Sequence, residues 1–251
     1  MRTLVVMPTY NEAANIEDVL RRIREAVPAA EVLVVDDGSP DGTASIAAAL
    51  GDELGQIAVL RRTAKEGLGA AYKAGFALGL ADGAEILIEM DADLSHDPNA
   101  LPAIISAAEH GADLVIGSRY VPGGSIPNWS FGRRSLSRWG NRYAAGVLGL
   151  AINDATSGYR AYRASMLQQL DLDAVRADGY AFQIEMTYRV VRLSGRVVEL
   201  PISFIDRTRG TSKMSSRIVV EALVLVTAWG VRDRMVSLRT RRRRQGVRAR
   251  G

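Results

Sequence analysis

The stretch Ile86 to Pro98 reads ILIEMDADLSHDP. A short apolar run meets an acidic pair, Asp91 and Asp93, and then a segment of turn-forming residues. An apolar run this short, closed by Asp, Ser and Pro, reads as a buried strand rather than a helix face. The acidic pair then stands at the strand's carboxyl end. Asp97-Pro98 opens the following helix well.

The same alternation runs outward from this strand. Leu4 to Met7 reads as a strand and Glu12 to Ala26 as a helix. Val32 to Val35, Ile57 to Leu60 and Leu114 to Gly117 read as strands. Thr43 to Leu54, Gly69 to Leu80 and Asn99 to Glu109 read as helices between them. Apolar strands alternating with helices predict an α/β fold: a Rossmann-like, mostly parallel sheet with helices on both faces. Ligands of such sheets bind outside the carboxyl ends of the strands. The polar runs PTYNE, DDGSPDGT, DADLSHD and GSRYVPGG all fall there, so four loops separated in sequence are expected to meet in one crevice.

Beyond Gly124 the pattern changes. Ser135 to Leu150 reads as a helix, and Ser157 to Arg163 and Val197 to Ile205 as strands around a helix at Phe182 to Arg192. The segment Ile218 to Val231, IVVEALVLVTAWGV, predicts a C-terminal amphipathic helix. It is shorter than the ~20 residues of a membrane span, and Glu221 interrupts it. It suits either a core helix or one lying at a membrane surface, anchored by Trp229 and the arginines that follow. The expected organisation is a catalytic domain over 1–216, a membrane-proximal helix over 217–235, and a basic, disordered tail over 236–251.

With 251 residues the chain can bury a large single core. It has no cysteine, which excludes disulfides and thiol catalysis. The opening MRTLVVMPTYNE does not read as a signal peptide, since its apolar run is short and ends in a polar turn. Charge is unevenly spread. Arg232 to Arg250 holds nine arginines and one acid, Asp233, a balance of +8 in a chain of net +4, which leaves −4 for the rest. Such an end suits a polyanionic surface, anionic lipid or nucleic acid, or a solvated terminus. An acidic body without a basic groove argues against a nucleic-acid binder.

Two carboxylates spaced as Asp91 and Asp93 can ligate one hard divalent cation, with substrate phosphates filling other positions. They can equally form a capped turn. Asp36 and Asp37 also end a strand, where a carboxylate can accept hydrogen bonds from a ribose or a base edge. Asp41 to Thr43 reads as a helix cap. There is no GxGxxG after the first strand and no GxxxxGK[ST], which argues against dinucleotide and P-loop folds. His96 and His110 are the only histidines, and His96 reads as structural or solvent-exposed. Trp129 and Trp139 read as packing residues that can also meet an apolar ligand.

The ordered series PTYNEAANI, DDGSPDGT, GLGAAYKAG, MDADLSHDP, GSRY, SGYRAYR, GYAFQIEM and PISFIDRTRGTSKM resembles the GT-A family 2 glycosyltransferases. Within them it is similar to the dolichyl- and polyprenyl-phosphate mannose synthase branch, over roughly residues 3 to 216. The later QxxRW of polymerising synthases is absent. The resemblance implies inverting transfer of mannose from GDP-mannose to a polyprenyl phosphate, at the cytoplasmic face of the membrane. Many relatives carry full transmembrane helices; here the Ile218 to Val231 helix and the arginines after it are expected to hold a peripheral protein at the bilayer. A membrane-embedded partner protein is a further expectation. The same fold with UDP-glucose or another nucleotide-sugar donor is the alternative, and a nucleotidyltransferase a remoter one. Pro8, Tyr10 and Glu12 would cradle the nucleotide, with Val35 and Asp37 on base and ribose. Asp91 and Asp93, with Ala92 alongside, would hold Mg²⁺ or Mn²⁺ at the diphosphate. Ser95 stands where relatives often carry Gln, so its contact with the metal would run through water. Arg119, Arg207 and Lys213 match phosphate-contacting basic positions. Arg133, Arg134 and Arg138 lie where the family has further basic residues, and Arg160 is scaffold with a phosphate contact in reach.

Overall fold

The computed structural model describes residues 1–206 and 220–235. Its sheet has the order β3-β2-β1-β4-β6-β5-β7. The strands are β1 (Thr3–Thr9), β2 (Glu31–Asp36), β3 (Ile57–Arg61), β4 (Ile86–Glu89), β5 (Leu114–Ser118), β6 (Arg160–Arg163) and β7 (Val197–Pro201). β1 to β4 run parallel, in register Val5↔Val32 and Val5↔Ile88. β6 runs antiparallel to both its neighbours, with Glu89↔Arg160 on one side and Ile116↔Arg160 on the other.

Both faces of the sheet are apolar because alternate side chains point opposite ways. Val5, Met7, Val32, Val34, Ile86 and Ile88 bury one face against Ile16, Val19, Leu20 and Ile23 of helix α1 (Ile16–Ala26) and against α2 (Thr43–Leu54) and α4 (Leu101–Glu109). Leu4, Val6, Leu33, Val35 and Leu87 bury the other against Tyr72 and Phe76 of α3 (Leu68–Ala81) and Phe182 and Met186 of α7 (Gly179–Arg192). On α3, Gly75 lets the helix lie directly on β1, since a Cβ there would collide with the Val6 side chain. The start of α3 is tied down by Asp178, whose carboxylate accepts from Gly69 N at 2.8 Å. The run GLGAAYKAG is therefore a packing motif in this fold.

A third cluster lies beside the sheet. There α5 (Phe131–Leu148) and α7 meet a helix over 220–235, α8, through Ala144, Ala181, Ile184, Ala222 and Val226. Tyr143 and Thr227 join α5 to α8 by a hydroxyl pair at 2.7 Å. A short α6 (Ala164–Gln169) follows β6.

Several boundaries differ from the sequence reading. α1 begins at Ile16, not Glu12, because Glu12 to Asn15 form a turn whose Glu12 carbonyl accepts from Asn15 N and Ile16 N. β6 begins at Arg160, not Ser157, and β7 ends at Pro201 rather than Ile205. Arg160 is wholly buried and donates to Ser157 O, Ala155 O, Gln183 O and Thr187 Oγ1. A phosphate contact at Arg160 is thus excluded, and it is scaffold alone. The C-terminal segment of the sequence reading contains α8, which carries Ala222 and Val226 into the third cluster.

Candidate active site

The carboxyl ends of β1, β2, β4 and β5 gather the four polar runs along one edge of the sheet. Because β6 is antiparallel, the loop before it, Asp154 to Tyr159, arrives at the same edge.

On one side the loops hold each other. Thr9 Oγ1 donates to Asp36 Oδ2 at 3.0 Å, and Ser39 N to Asp36 Oδ1 at 2.9 Å. Asn11 N donates to Ser39 Oγ, Glu12 N to Thr43 Oγ1, and Ala13 N to Asp41 Oδ2. Asp36 is thereby committed to holding the loop. Asp41 binds Thr43 N at 3.1 Å, as a cap should. Asp37 pairs with Arg62 at 2.8 Å. Burial raises the Asp37 carboxyl above its ordinary value, against the opposing pull of Arg62. Tyr10 lies half-buried under the Lys65 ammonium, 4.3 Å from its ring centre. Pro8 and Glu12 are also half-buried at this edge. Val35 and Ala92 belong to the core, so any ligand contact there falls to their backbone.

At the centre, Asp91 follows β4 with its side chain 33% exposed, while His96 beneath it is 2% exposed. Asp91 N donates to His96 Nδ1 at 3.1 Å, which leaves the imidazole proton on Nε2. Burial lowers the His96 pKa and keeps the ring neutral. It stacks on Tyr159, with centroids 4.8 Å apart. His96 is therefore a structural prop for the Asp91 backbone. Leu94 adopts φ 63°, a conformation costly for a bulky L-residue, and the bend lets Ser95 N reach Asp93 Oδ1 at 3.0 Å. The Ser95 hydroxyl is buried with no hydrogen-bond partner among the described residues. Behind the pair, burial pushes Glu89 up to about 7. Tyr72 OH reaches Asp91 Oδ1 at 3.4 Å. Among the described residues no three His, Cys, Asp or Glu cluster as a complete metal shell. Two carboxylates and an orphaned hydroxyl fit a hard cation whose remaining positions come from phosphate and water.

The other side is built on arginine. Arg119 Nε and Nη2 form a two-point pair with Asp154, both at 2.7 Å, and Nη2 also donates to Thr156 Oγ1 at 2.8 Å. Burial raises the Asp154 carboxyl, but Arg119 more than offsets this and holds it below its ordinary value. Arg119 Nη1 makes no hydrogen bond to a described residue, and Arg119 lines one end of an apolar cleft. Two guanidinium groups approach the Trp129 ring, Arg119 at 5.5 Å and Arg133 at 3.9 Å from its centre. Arg133 is paired with Asp206 at 2.8 Å. The cleft, open to solvent, runs from these arginines between α5, α7 and α8. Leu136, Trp139, Ile184 and Val226 are among its apolar walls. Arg207 and Lys213 lie outside the described residues.

Asp154 was not expected from the sequence. It is a lone acid 35 residues from its partner, and only the reversed direction of β6 places it there. Thr156 and Asn141, joined at 3.1 Å, were missed for the same reason.

A covered α/β sheet with an Asp-x-Asp pair at a central strand's carboxyl end is the framework of a nucleotide-sugar transferase. The chain belongs to glycosyl transferase family 2, whose family model matches residues 4–171. It is 52% identical over 241 residues to an undecaprenyl-phosphate mannosyltransferase of Micrococcus luteus, spanning 96% of this chain and 99% of that one. It is 50% identical over 239 residues to a polyprenol monophosphomannose synthase of Mycolicibacterium smegmatis, spanning 93% and 89%. In fold it is similar to glucosyl-3-phosphoglycerate synthase from Mycobacterium tuberculosis, solved with Mn²⁺, UDP and glucosyl-3-phosphoglycerate. That match has TM-score 0.67 and 22% identity, over 90% of this chain and 80% of the other. The sheet, the helices on both its faces and the family thus agree with the expectation from sequence.

Proposed function

We propose that the protein transfers mannose from GDP-mannose to a polyprenyl phosphate, with inversion at the sugar carbon, giving polyprenyl-phosphate mannose. The observation that carries this reading is a juxtaposition: an acidic pair and an arginine-headed apolar cleft share one edge of the sheet. The names of the two mannosyltransferase relatives support the sugar and the acceptor.

The reacting partners are both anionic, so their repulsion must be offset. Asp91 and Asp93 would hold Mg²⁺ or Mn²⁺, with Ser95 reaching it through water. When bound, the ion supplies positive charge at the leaving diphosphate. Tyr10, Glu12 and Asp37 hold the nucleotide, with Pro8, Val35 and Ala92 offering backbone. On the opposite side Arg119 Nη1 and Arg133 hold the acceptor phosphate, and Arg207 and Lys213 add charge at the phosphates. A phosphate monoester has its second pKa near about 6, so the acceptor is already a nucleophile at neutral pH. No strong general base is required, and none of this chain's residues has to move a proton. Asp154 fixes the Arg119 fork, so the guanidinium at the edge of the cleft need not reorganise when a phosphate binds.

The prenyl chain of the acceptor would lie in the cleft. Among the described residues no helix is long and apolar enough to cross a membrane. On this reading the enzyme works at the cytoplasmic face as a peripheral protein, with 1–216 catalytic and 217–251 serving attachment, alone or beside a membrane-embedded partner protein. The test is a donor panel with a short-chain polyprenyl phosphate. GDP-mannose should be consumed with release of GDP and a mannosylated lipid. Turnover confined to UDP-glucose would move the reading to a sister activity, and release of pyrophosphate would point to nucleotidyl transfer instead.

A further inference from the structure

Asp154 fixes Arg119, yet the Asp154 carboxylate is itself bonded only to Arg119 and Thr156 among the described residues. Its place must come from its backbone. The chain between α5 and β6 contains no helix or strand that could supply it. Two side chains grip this segment from outside. Asn141 of α5, buried, accepts from Thr156 N at 3.2 Å and donates to Thr156 Oγ1 at 3.1 Å. Glu199 of β7 holds the other point. Its carboxylate accepts from Asp154 N at 2.9 Å and from Asn153 N and Asn153 Nδ2, both at 2.8 Å. Among the described residues these are the only hydrogen bonds the Glu199 carboxylate makes.

β7 is well placed to act as that anchor. It pairs in parallel with β5, Ile116 opposite Glu199 and Ser118 opposite Pro201, and Arg119 directly follows Ser118. The strand leading into Arg119 and the strand carrying Glu199 are thus locked in register. A carboxylate suits the task. It takes three N–H groups at once, whereas an amide has one acceptor oxygen and would turn N–H groups of its own toward them.

We propose that Glu199 is a positioning residue for Arg119: through the backbone of Asn153 and Asp154 it holds the Asp154 carboxylate where that carboxylate fixes the guanidinium fork. Glu199 touches no substrate. Its effect on turnover rests on the reading of Arg119 as a contact of the acceptor phosphate. A fork that must be re-formed when a phosphate arrives weakens binding of the acceptor and leaves the sugar nucleotide unaffected.

The test uses the full chain and two readouts for wild type, Glu199→Gln and Glu199→Ala. One is initial rates with GDP-mannose and a short polyprenyl phosphate. The other is hydrogen exchange at Arg119 Nε–H, followed by ¹⁵N NMR without substrates; Arg119→Lys identifies the resonance by its loss. Glu199→Ala should raise KM for polyprenyl phosphate about tenfold, the worth of one hydrogen bond to a charged group, and leave KM for GDP-mannose unaltered. Glu199→Gln should fall between it and wild type. Arg119 Nε–H should exchange faster in both. Arg119→Lys keeps the charge but has no fork to fix, so adding Glu199→Gln to it should change the acceptor KM no further. If Glu199→Ala does not fold, Asn153→Ala removes only the side-chain bond to Glu199 and should give a smaller shift of the same kind.

An unaltered acceptor KM in an active Glu199 variant, an equal rise in both KM values, or full additivity with Arg119→Lys would overturn the proposal. So would Arg119 Nε–H exchange equal to that of wild type. Faster exchange at Arg119 in the variants, with no transfer to polyprenyl phosphate even by wild type, would count against the assigned reaction and leave the hold of Glu199 on the fork standing.

Discussion

The two halves of the sheet edge solve different problems. On the β1 and β2 side, backbone N–H groups and short hydroxyl side chains lock loop to loop, and acids predominate. On the β5 and α5 side, guanidinium groups, aromatic rings and an apolar cleft predominate. A sugar nucleotide is polar along its length, and a hydrogen-bonded cradle suits it. A prenyl phosphate has one charged end and a hydrocarbon tail, and a cleft headed by arginine suits that. Asp91 and Asp93 stand at the seam, where the proposed reaction would bring the two substrates together.

Breaking the arginine side should have the largest effect on stability. Asp154→Ala leaves Arg119 buried without its partner, which should cost about 3–5 kcal/mol in denaturant unfolding. The same pair gives acid sensitivity. Asp154 has a folded pKa below its ordinary 3.8, so its contribution is complete above that pH and is lost as pH falls through the folded value. Stability of the wild type should therefore drop more steeply below about pH 3.8 than that of Asp154→Asn.

The donor side breaks differently, through packing. Gly75→Ala forces a methyl group against Val6 of β1. It should cost about 1–3 kcal/mol by thermal or chemical unfolding, the usual range for overpacking. Acceptor affinity in the surviving folded protein should be unchanged.

A smaller effect sharpens the division of labour. Arg133→Gln keeps a donor but removes the charge at the head of the cleft. It should raise KM for polyprenyl phosphate about tenfold, the worth of one charged hydrogen bond, and leave KM for the sugar nucleotide unaltered. Equal changes in both constants would merge the two halves into one site.

The donor half was the more legible in sequence, for a physical reason. Its strands are apolar runs that stop at polar loops, so their ends and the loops' shared edge follow from local pattern. α2 was read at Thr43 to Leu54 and found there. α1 was read too long, since Glu12 looks helical yet opens a turn and gives its N–H to Thr43 at the start of α2. The acceptor half depends on strand direction, which periodicity does not encode. The antiparallel β6 brings Asp154 to Arg119, and nothing local in either segment announces it. Trp139 illustrates a second limit. Its placement is decided by Tyr143 and α8, so whether it is core or surface is a tertiary property. The Asp-x-Asp pair stood at the expected strand end, but its rigidity rests on His96, the Leu94 bend and the Ser95 N–H.

The central claim is that this pair carries the chemistry of mannosyl transfer. The most direct measurement is the initial rate with GDP-mannose and a short polyprenyl phosphate, with the divalent ion titrated, for wild type and Asp93→Ala. Wild-type turnover should vanish on chelation and return with Mg²⁺ or Mn²⁺. Asp93→Ala should lose about 10²–10³-fold in kcat, the scale for removing one electrostatic anchor of a transition state. Unchanged turnover in Asp93→Ala, or wild-type turnover indifferent to chelation, would contradict the account.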